Sequence, residues 1–152
     1  MKIKYAEILG EIEPIISSDN SLSEILAAIT RLLKNKIFHY DWVGFYILDK
    51  DNAVLKLGPF SGKPTEHTTI AVGQGVCGQV AETMKLKVVQ DVSTEGNYIA
   101  CSLEVQSEIV VPILVNGQFV AEIDIDSHSP APFTPEDEHF LTALSKKLAT
   151  RF

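Results

Sequence analysis

The dipeptide Asn116-Gly117 constrains this chain more than any other feature. It separates two runs rich in Val and Ile, residues 109–115 and 118–126. Asn-Gly tolerates positive φ at both turn positions, and a two-residue turn of that kind matches the twist of paired antiparallel strands. A tight hairpin is therefore predicted, without the long crossover that a parallel pair needs. Pro112 stands inside the first run and cannot donate to a ladder, so an edge position or a bulge is expected there.

Period-two patterning elsewhere predicts more strands, at residues 41–48 and 53–57 around a polar turn at 49–52, and a short one at 86–90. Helical patterning runs over residues 4–16, ending near Pro14, and more strongly over 22–33. There Leu22, Ile25, Leu26, Ile29, Leu32 and Leu33 form a stripe, and Ser21 and Glu24 have capping-box spacing. A short helix is expected at 75–84, and a polar loop at 91–99. A last helix opens at Thr134-Pro135, with Glu136, Asp137 and Glu138 complementing its dipole. Phe140, Leu141, Leu144 and Leu148 supply its apolar stripe. The sum is an α+β fold, an antiparallel central sheet flanked by N- and C-terminal helices. No repeat or linker interrupts it, so residues 1–152 read as a single domain.

The formal net charge is −7, which argues against nucleic acid and anionic membrane surfaces as partners. No apolar run reaches the roughly 20 residues needed to span a bilayer, and residues 1–11 do not read as a signal peptide. A cytoplasmic location is expected, where thiols stay reduced, so the two cysteines are inert core residues or functional thiols.

Alternation on residues 118–126 places Phe119, Ala121, Ile123 and Ile125 on one face, and Val120, Glu122, Asp124 and Asp126 on the other. The acidic face is either solvated or turned to a cavity, where neighbouring carboxyls share a proton or bind an ammonium group. Trp42, Gly44 and Tyr46 also share a face. They read either as a ligand slot with an aromatic wall or as ordinary core packing. Residues 73–78 match G-x-G-x-x-G, but the antiparallel strand pattern rejects a dinucleotide site, and the glycines are expected to bend a loop before a helix. Cys77 then lies near a helix N-terminus, where the dipole favours a thiolate, unless it is simply a small buried residue. Cys101 follows a polar loop and precedes Glu108 by seven positions. His39, His67, His128 and His139 show no zinc-site spacing with either cysteine, so no metal is expected.

Taken in order, several motifs resemble those of the free methionine-(R)-sulfoxide reductases, which are stand-alone GAF domains. They are Trp42-Val43-Gly44-Phe45-Tyr46, Gly58-Pro59-Phe60-Ser61-Gly62-Lys63-Pro64, Gly73-Gln74-Gly75-Val76-Cys77-Gly78, Ile99-Ala100-Cys101, Ser107-Glu108-Ile109-Val110-Val111-Pro112 and Asp124-Ile125-Asp126-Ser127. The resemblance covers nearly the whole chain and implies a GAF fold that reduces free methionine-(R)-sulfoxide. It makes Cys101 the catalytic thiol, Glu108, Asp124 and Asp126 the acidic set for substrate and proton, and Trp42 and Tyr46 a ring wall. Many members carry another cysteine shortly after Gly-Lys-Pro, where this chain has His67. The chain thus resembles a subgroup with two cysteines, in which Cys77 or an external thiol reopens the oxidised Cys101. The implied partners are the sulfoxide and a thioredoxin-like or small-thiol reductant, with no bound cofactor. The amphipathic first helix suggests a homodimer. The alternative to an enzyme is a non-catalytic GAF sensor that binds a small molecule, and a further one is a general thiol peroxidase.

Overall fold

The structure is a computed structural model and describes residues 2–96 and 103–152. Two helices come first, α1 (Tyr5–Ile16) and α2 (Leu22–Lys36), followed by strands β1 (Trp42–Asp49), β2 (Val54–Ser61) and β3 (Thr69–Ala71). Helix α3 (Gly75–Thr83) leads to β4 (Lys87–Val89), then β5 (Ser107–Val115), β6 (Gln118–Ser127) and the closing α4 (Pro135–Leu148). The six strands lie in the order β3-β2-β1-β6-β5-β4, with every neighbouring pair antiparallel.

The Asn-Gly turn closes the β5–β6 hairpin as expected, with φ of 51° at Asn116 and 76° at Gly117. Pro112 pairs with Glu122, but β4 flanks β5 only over Glu108–Val110, so the proline lies on a local edge. A bulge follows at once: Ile113 faces Ala121, whereas Leu114 faces Phe119 and leaves Val120 unmatched. This bulge overturns strict alternation on β6. Phe119 packs on the α3 side of the sheet and Val120 on the other, the reverse of the sequence expectation.

Three further differences have plain causes. Helix α1 continues through Pro14 to Ile16, because a proline in the last turn removes one hydrogen bond without stopping the helix. Strand β2 extends past Leu57 because a bulge opposite Phe45 absorbs Gly58-Pro59, which reads as a breaker in sequence. Strand β3 has three residues, too few to display a period.

The sheet separates two apolar layers. On one side α1, α2 and α4 bury Ile12, Leu26, Ile29, Leu141 and Leu144 against Phe45, Ile109, Ile123 and Ile125. The apolar stripe of α1, which suggested pairing with a second copy, is thus used within the chain. On the other side α3 packs against β5 and β6, over Trp42, Tyr46, Leu55, Cys77, Val80 and Val110. No described helix is long and apolar enough to cross a membrane.

Caps fix the outer helices. Ser21 Oγ accepts the Glu24 N–H at 3.2 Å and donates to the Glu24 carboxylate at 2.9 Å. At the start of α4, the Asp137 carboxylate accepts the Thr134 N–H at 2.9 Å. Its other oxygen accepts the phenols of Tyr5 and Tyr40, each at 2.7 Å, and meets His39 Nε2 at 3.0 Å. Burial works against the charge, but the bonds from His39, the Thr134 backbone, Tyr40 and Tyr5 prevail and hold this carboxyl down at about 2.

Candidate active site

The inner layer gathers its polar groups from three elements. Strand β6 faces α3 with Glu122, Asp124 and Asp126, because its alternate residues Ala121, Ile123 and Ile125 are taken by the helix-side core. Strand β5 adds Glu108, opposite Asp126 in register. On the other flank β1 sets Trp42 opposite Asp126, Gly44 opposite Asp124 and Tyr46 opposite Glu122. Helix α3 brings Cys77 down from above.

Two glycines let α3 start so close to the sheet. Gly75 has φ of 65°, a left-handed conformation suited to the entry turn. A side chain on Gly78 would meet the Ala71 carbonyl at 2.5 Å. The glycine-rich segment is therefore a tight strand-to-helix turn, as the sequence indicated.

All four acids are buried, with Glu122, Asp124 and Asp126 fully enclosed. Cys77 Sγ lies 4.0 Å from Glu108 Oε2, and Cys77, Glu108 and Asp124 each offer a ligand-type atom within 4.8 Å of the others. Among the described residues, neither oxygen of Glu122 or of Asp124 has a hydrogen-bond partner of good geometry. No lysine or arginine among them pairs with Glu108, Glu122 or Asp124. Burial of uncompensated carboxylates is prohibitive, so such groups neutralise instead.

The shifts follow from that. Burial, then the charges of Asp124 and Asp126, push Glu108 well above the carboxylate range. Burial and Asp124 push Glu122 well up as well. Burial also raises Asp124, against the lowering influence of Glu108 and Cys77. The Cys77 thiol is pushed well up by burial, then by Asp124, Glu122 and Glu108. The helix N-terminus was expected to favour a Cys77 thiolate, but burial among carboxyls outweighs the dipole. Cys77 is a protonated thiol at rest. Metal binding needs deprotonated ligands, so this group is better suited to holding and passing protons.

The aromatic pair has a defined arrangement. The Trp42 ring stacks on Phe60 at 5.5 Å between centroids and lies 6.5 Å from Tyr46. The space left by Gly44 holds the Trp42 indole itself, because a Cβ there would meet Cη2 at 2.3 Å. The indole N–H donates to the Lys63 carbonyl at 2.9 Å, and the Tyr46 phenol donates to the His67 carbonyl at 2.8 Å. Both rings therefore hold the segment between β2 and β3. A narrow cleft with room for little more than a water molecule opens between this segment and α3, lined by Tyr46, His67, Ile70, Cys77, Glu108 and Asp124.

Of the residues singled out from sequence, Tyr46, Cys77, Glu108 and Asp124 converge on the cleft, with Trp42 and Asp126 next to them in the sheet. Cys101 lies outside the described residues. The described chain resumes at Leu103, and Glu104 pairs with Lys63 at 2.6 Å, tying this stretch to the segment that carries His67.

A GAF domain family model matches residues 21–152. The free methionine-R-sulfoxide reductase of Escherichia coli is 35% identical over 144 residues, which cover 95% of this chain and 86% of the relative. The chain belongs to the GAF family, among the free methionine-R-sulfoxide reductases. The Saccharomyces cerevisiae free methionine-R-sulfoxide reductase is 38% identical, with 83% of this GAF chain and 71% of the relative covered. The X-ray structure of free methionine-R-sulfoxide reductase from Neisseria meningitidis in complex with its substrate superposes with a TM-score of 0.92 at 37% identity. That match covers 97% of this chain and 87% of the other.

One residue of this GAF site escaped the sequence reading as a functional candidate. Glu122 was placed on the acidic face of its strand but not in the site, because the motif that carried the resemblance began at Asp124. Its position two residues before Asp124 on the same face was the signal available.

Proposed function

We propose that this GAF domain reduces free methionine-(R)-sulfoxide, with Cys101 as the nucleophile and Cys77 as the resolving thiol. The observation that carries the reading is the buried thiol–carboxyl cluster at the cleft, in a chain similar over nearly its whole length to reductases of that substrate. The Cys101 thiolate attacks the sulfoxide sulfur. A protonated carboxyl, Glu108 first among them, gives its proton to the oxygen. The oxygen passes to the Cys101 sulfur as the methionine sulfur–oxygen bond and the transient sulfur–sulfur bond break, so methionine leaves and Cys101 becomes a sulfenic acid. The sulfoxide is reduced by two electrons and the thiol oxidised by two. Cys77 then displaces the sulfenic oxygen as water, forming a disulfide, and a thioredoxin-like or small-thiol reductant reopens it.

A substrate ammonium entering beside Asp124 and Asp126 would favour their ionised forms and in turn offset the charge that opposes a thiolate. Trp42 and Tyr46 form the wall beside the substrate methyl group. The test is consumption of each epimer of free methionine sulfoxide with dithiothreitol present. The R-epimer alone is expected to be converted to methionine. A ligand-binding sensor would leave both unchanged, and a thiol peroxidase would turn over peroxide instead.

A further inference from the structure

We propose that Cys77, Glu108 and Asp124 bind a zinc ion at the cleft. The binding stands on these three side chains, whereas its effect on turnover rests on the reading of the cleft as the reductase site.

The three residues come from α3, β5 and β6, and each offers one ligand-type atom within 4.8 Å of the other two. Among the described residues no other set of His, Cys, Asp and Glu side chains is gathered in this way. Cys77 Sγ lies 4.0 Å from Glu108 Oε2. Zinc bonds of about 2.3 Å to sulfur and about 2.0–2.2 Å to carboxylate oxygen put tetrahedral ligand atoms roughly 3.5 Å apart. Closing the remaining gaps takes small rotations about the side-chain bonds.

A separate observation points to a ligand. Asp124 is fully buried and lines the cleft, and neither of its oxygens has a hydrogen-bond partner of good geometry among the described residues. A buried polar group left in that state calls for an explanation, and an ion is one. The cleft is the right size, since it has room for little more than a water molecule. The fourth zinc position faces the cleft, where water or the His67 side chain can fill it.

The donor chemistry selects the metal. Magnesium and calcium ask for six or more oxygen ligands, which one thiol and two carboxyls do not supply. A thiolate favours softer ions, and zinc accepts four mixed ligands. With no ion present the group holds protons, because burial disfavours uncompensated negative charge. A divalent cation reverses that balance, since it brings the compensating charge and a coordinating thiol is deprotonated outright. The ligands release their protons to water, and no electron is transferred. The bound ion fills the cleft and occupies the Cys77 sulfur, so it blocks turnover reversibly.

The experiment is a titration of zinc into the reduced Cys101→Ser protein, in which Cys77 is the sole thiol, in competition with a chromophoric chelator. One equivalent is expected to bind. Adding Cys77→Ser or Asp124→Asn is expected to weaken binding by more than about a hundredfold, beyond the usual cost of changes outside a ligand set. Cadmium serves as a spectroscopic stand-in and keeps the test decisive if Asp124→Asn folds poorly. Cys101→Ser with cadmium is expected to show the ultraviolet sulfur-to-cadmium charge-transfer band. Absence of that band, or zinc held equally tightly without Cys77, overturns the site and moves the ion to an exposed group such as His128 beside Asp41 and Glu104. Neither readout depends on turnover, so both stand if the reductase reading fails. In a single turnover of the unsubstituted protein with no added thiol, methionine release is expected to stop on zinc loading. Equal release from the loaded protein overturns the inhibition.

Discussion

Gly44 shows how little room the site leaves. Its missing side chain is the space in which the Trp42 indole lies, and Gly62 receives the same ring from the other side, where a Cβ would meet Cδ1 at 2.6 Å. Gly44→Ala is expected to displace the indole and destabilise the fold by about 1–3 kcal/mol, the usual cost of overpacking a filled core. It should also raise KM for the sulfoxide more than it lowers kcat, which steady-state kinetics with a denaturation curve will separate. The two cysteines make a sharper pair of variants. Cys101→Ser is expected to abolish turnover of the free R-epimer, whereas Cys77→Ser keeps one turnover, read as one equivalent of methionine per protein. Multiple turnovers by Cys101→Ser would remove the nucleophile from this account.

At the scale of elements, Asp137 joins three parts of the chain. It caps α4, holds α1 through Tyr5, and holds the approach to β1 through His39 and Tyr40. A second contact between the outer helices comes from Lys147 and Glu13 at 2.9 Å, but an exposed pair of this kind contributes little. Asp137→Asn leaves these donors around a neutral group and is expected to cost about 2–3 kcal/mol. Tyr5→Phe removes one bond and should cost about 1 kcal/mol. Chemical denaturation measures both, and hydrogen exchange in α1 should rise before exchange in the sheet.

The same scale shows what could be read from the sequence. The β5–β6 hairpin was legible because Asn-Gly and Val/Ile alternation are local signals. Residues 22–33 and the Thr134-Pro135 start were legible for the same reason. Strand β3, the β2 extension and the inverted Phe119 and Val120 were not, because bulges and short pairings are settled by the partner strand. Asp137 read only as a dipole-favoured first-turn acid, since its partners lie about 100 or more positions away in the chain. In the site, composition and spacing left Cys77, Cys101 and the acidic strand as open alternatives. The ordered family motifs singled out Glu108, Asp124 and Asp126, and only the packed structure adds Glu122.

For the whole molecule, two groups of acids set opposite limits on stability. Glu108, Glu122 and Asp124 have raised pKa values in the folded state. The fold binds their protons more tightly than the unfolded chain does, so that stability is complete at and below the ordinary carboxylate range and is lost as pH rises through the raised values. Asp137 has the reverse sign. Its contribution is present above the ordinary aspartate range and is lost as pH falls towards about 2. Thermal unfolding across pH is expected to show greatest stability on the acidic side of neutral. The alkaline decline should be shallower in Glu122→Gln, and the acid decline shallower in Asp137→Asn.

The indole wedged between Gly44 and Gly62 has a consequence of another kind. Trp42 is the chain's one tryptophan, so all indole emission comes from a ring stacked beside the cleft. Anything that enters the cleft, or any change in the charge of the carboxyls below it, alters the surroundings of a single chromophore. The protein thus carries its own optical probe of occupancy and redox state, readable in real time without a label.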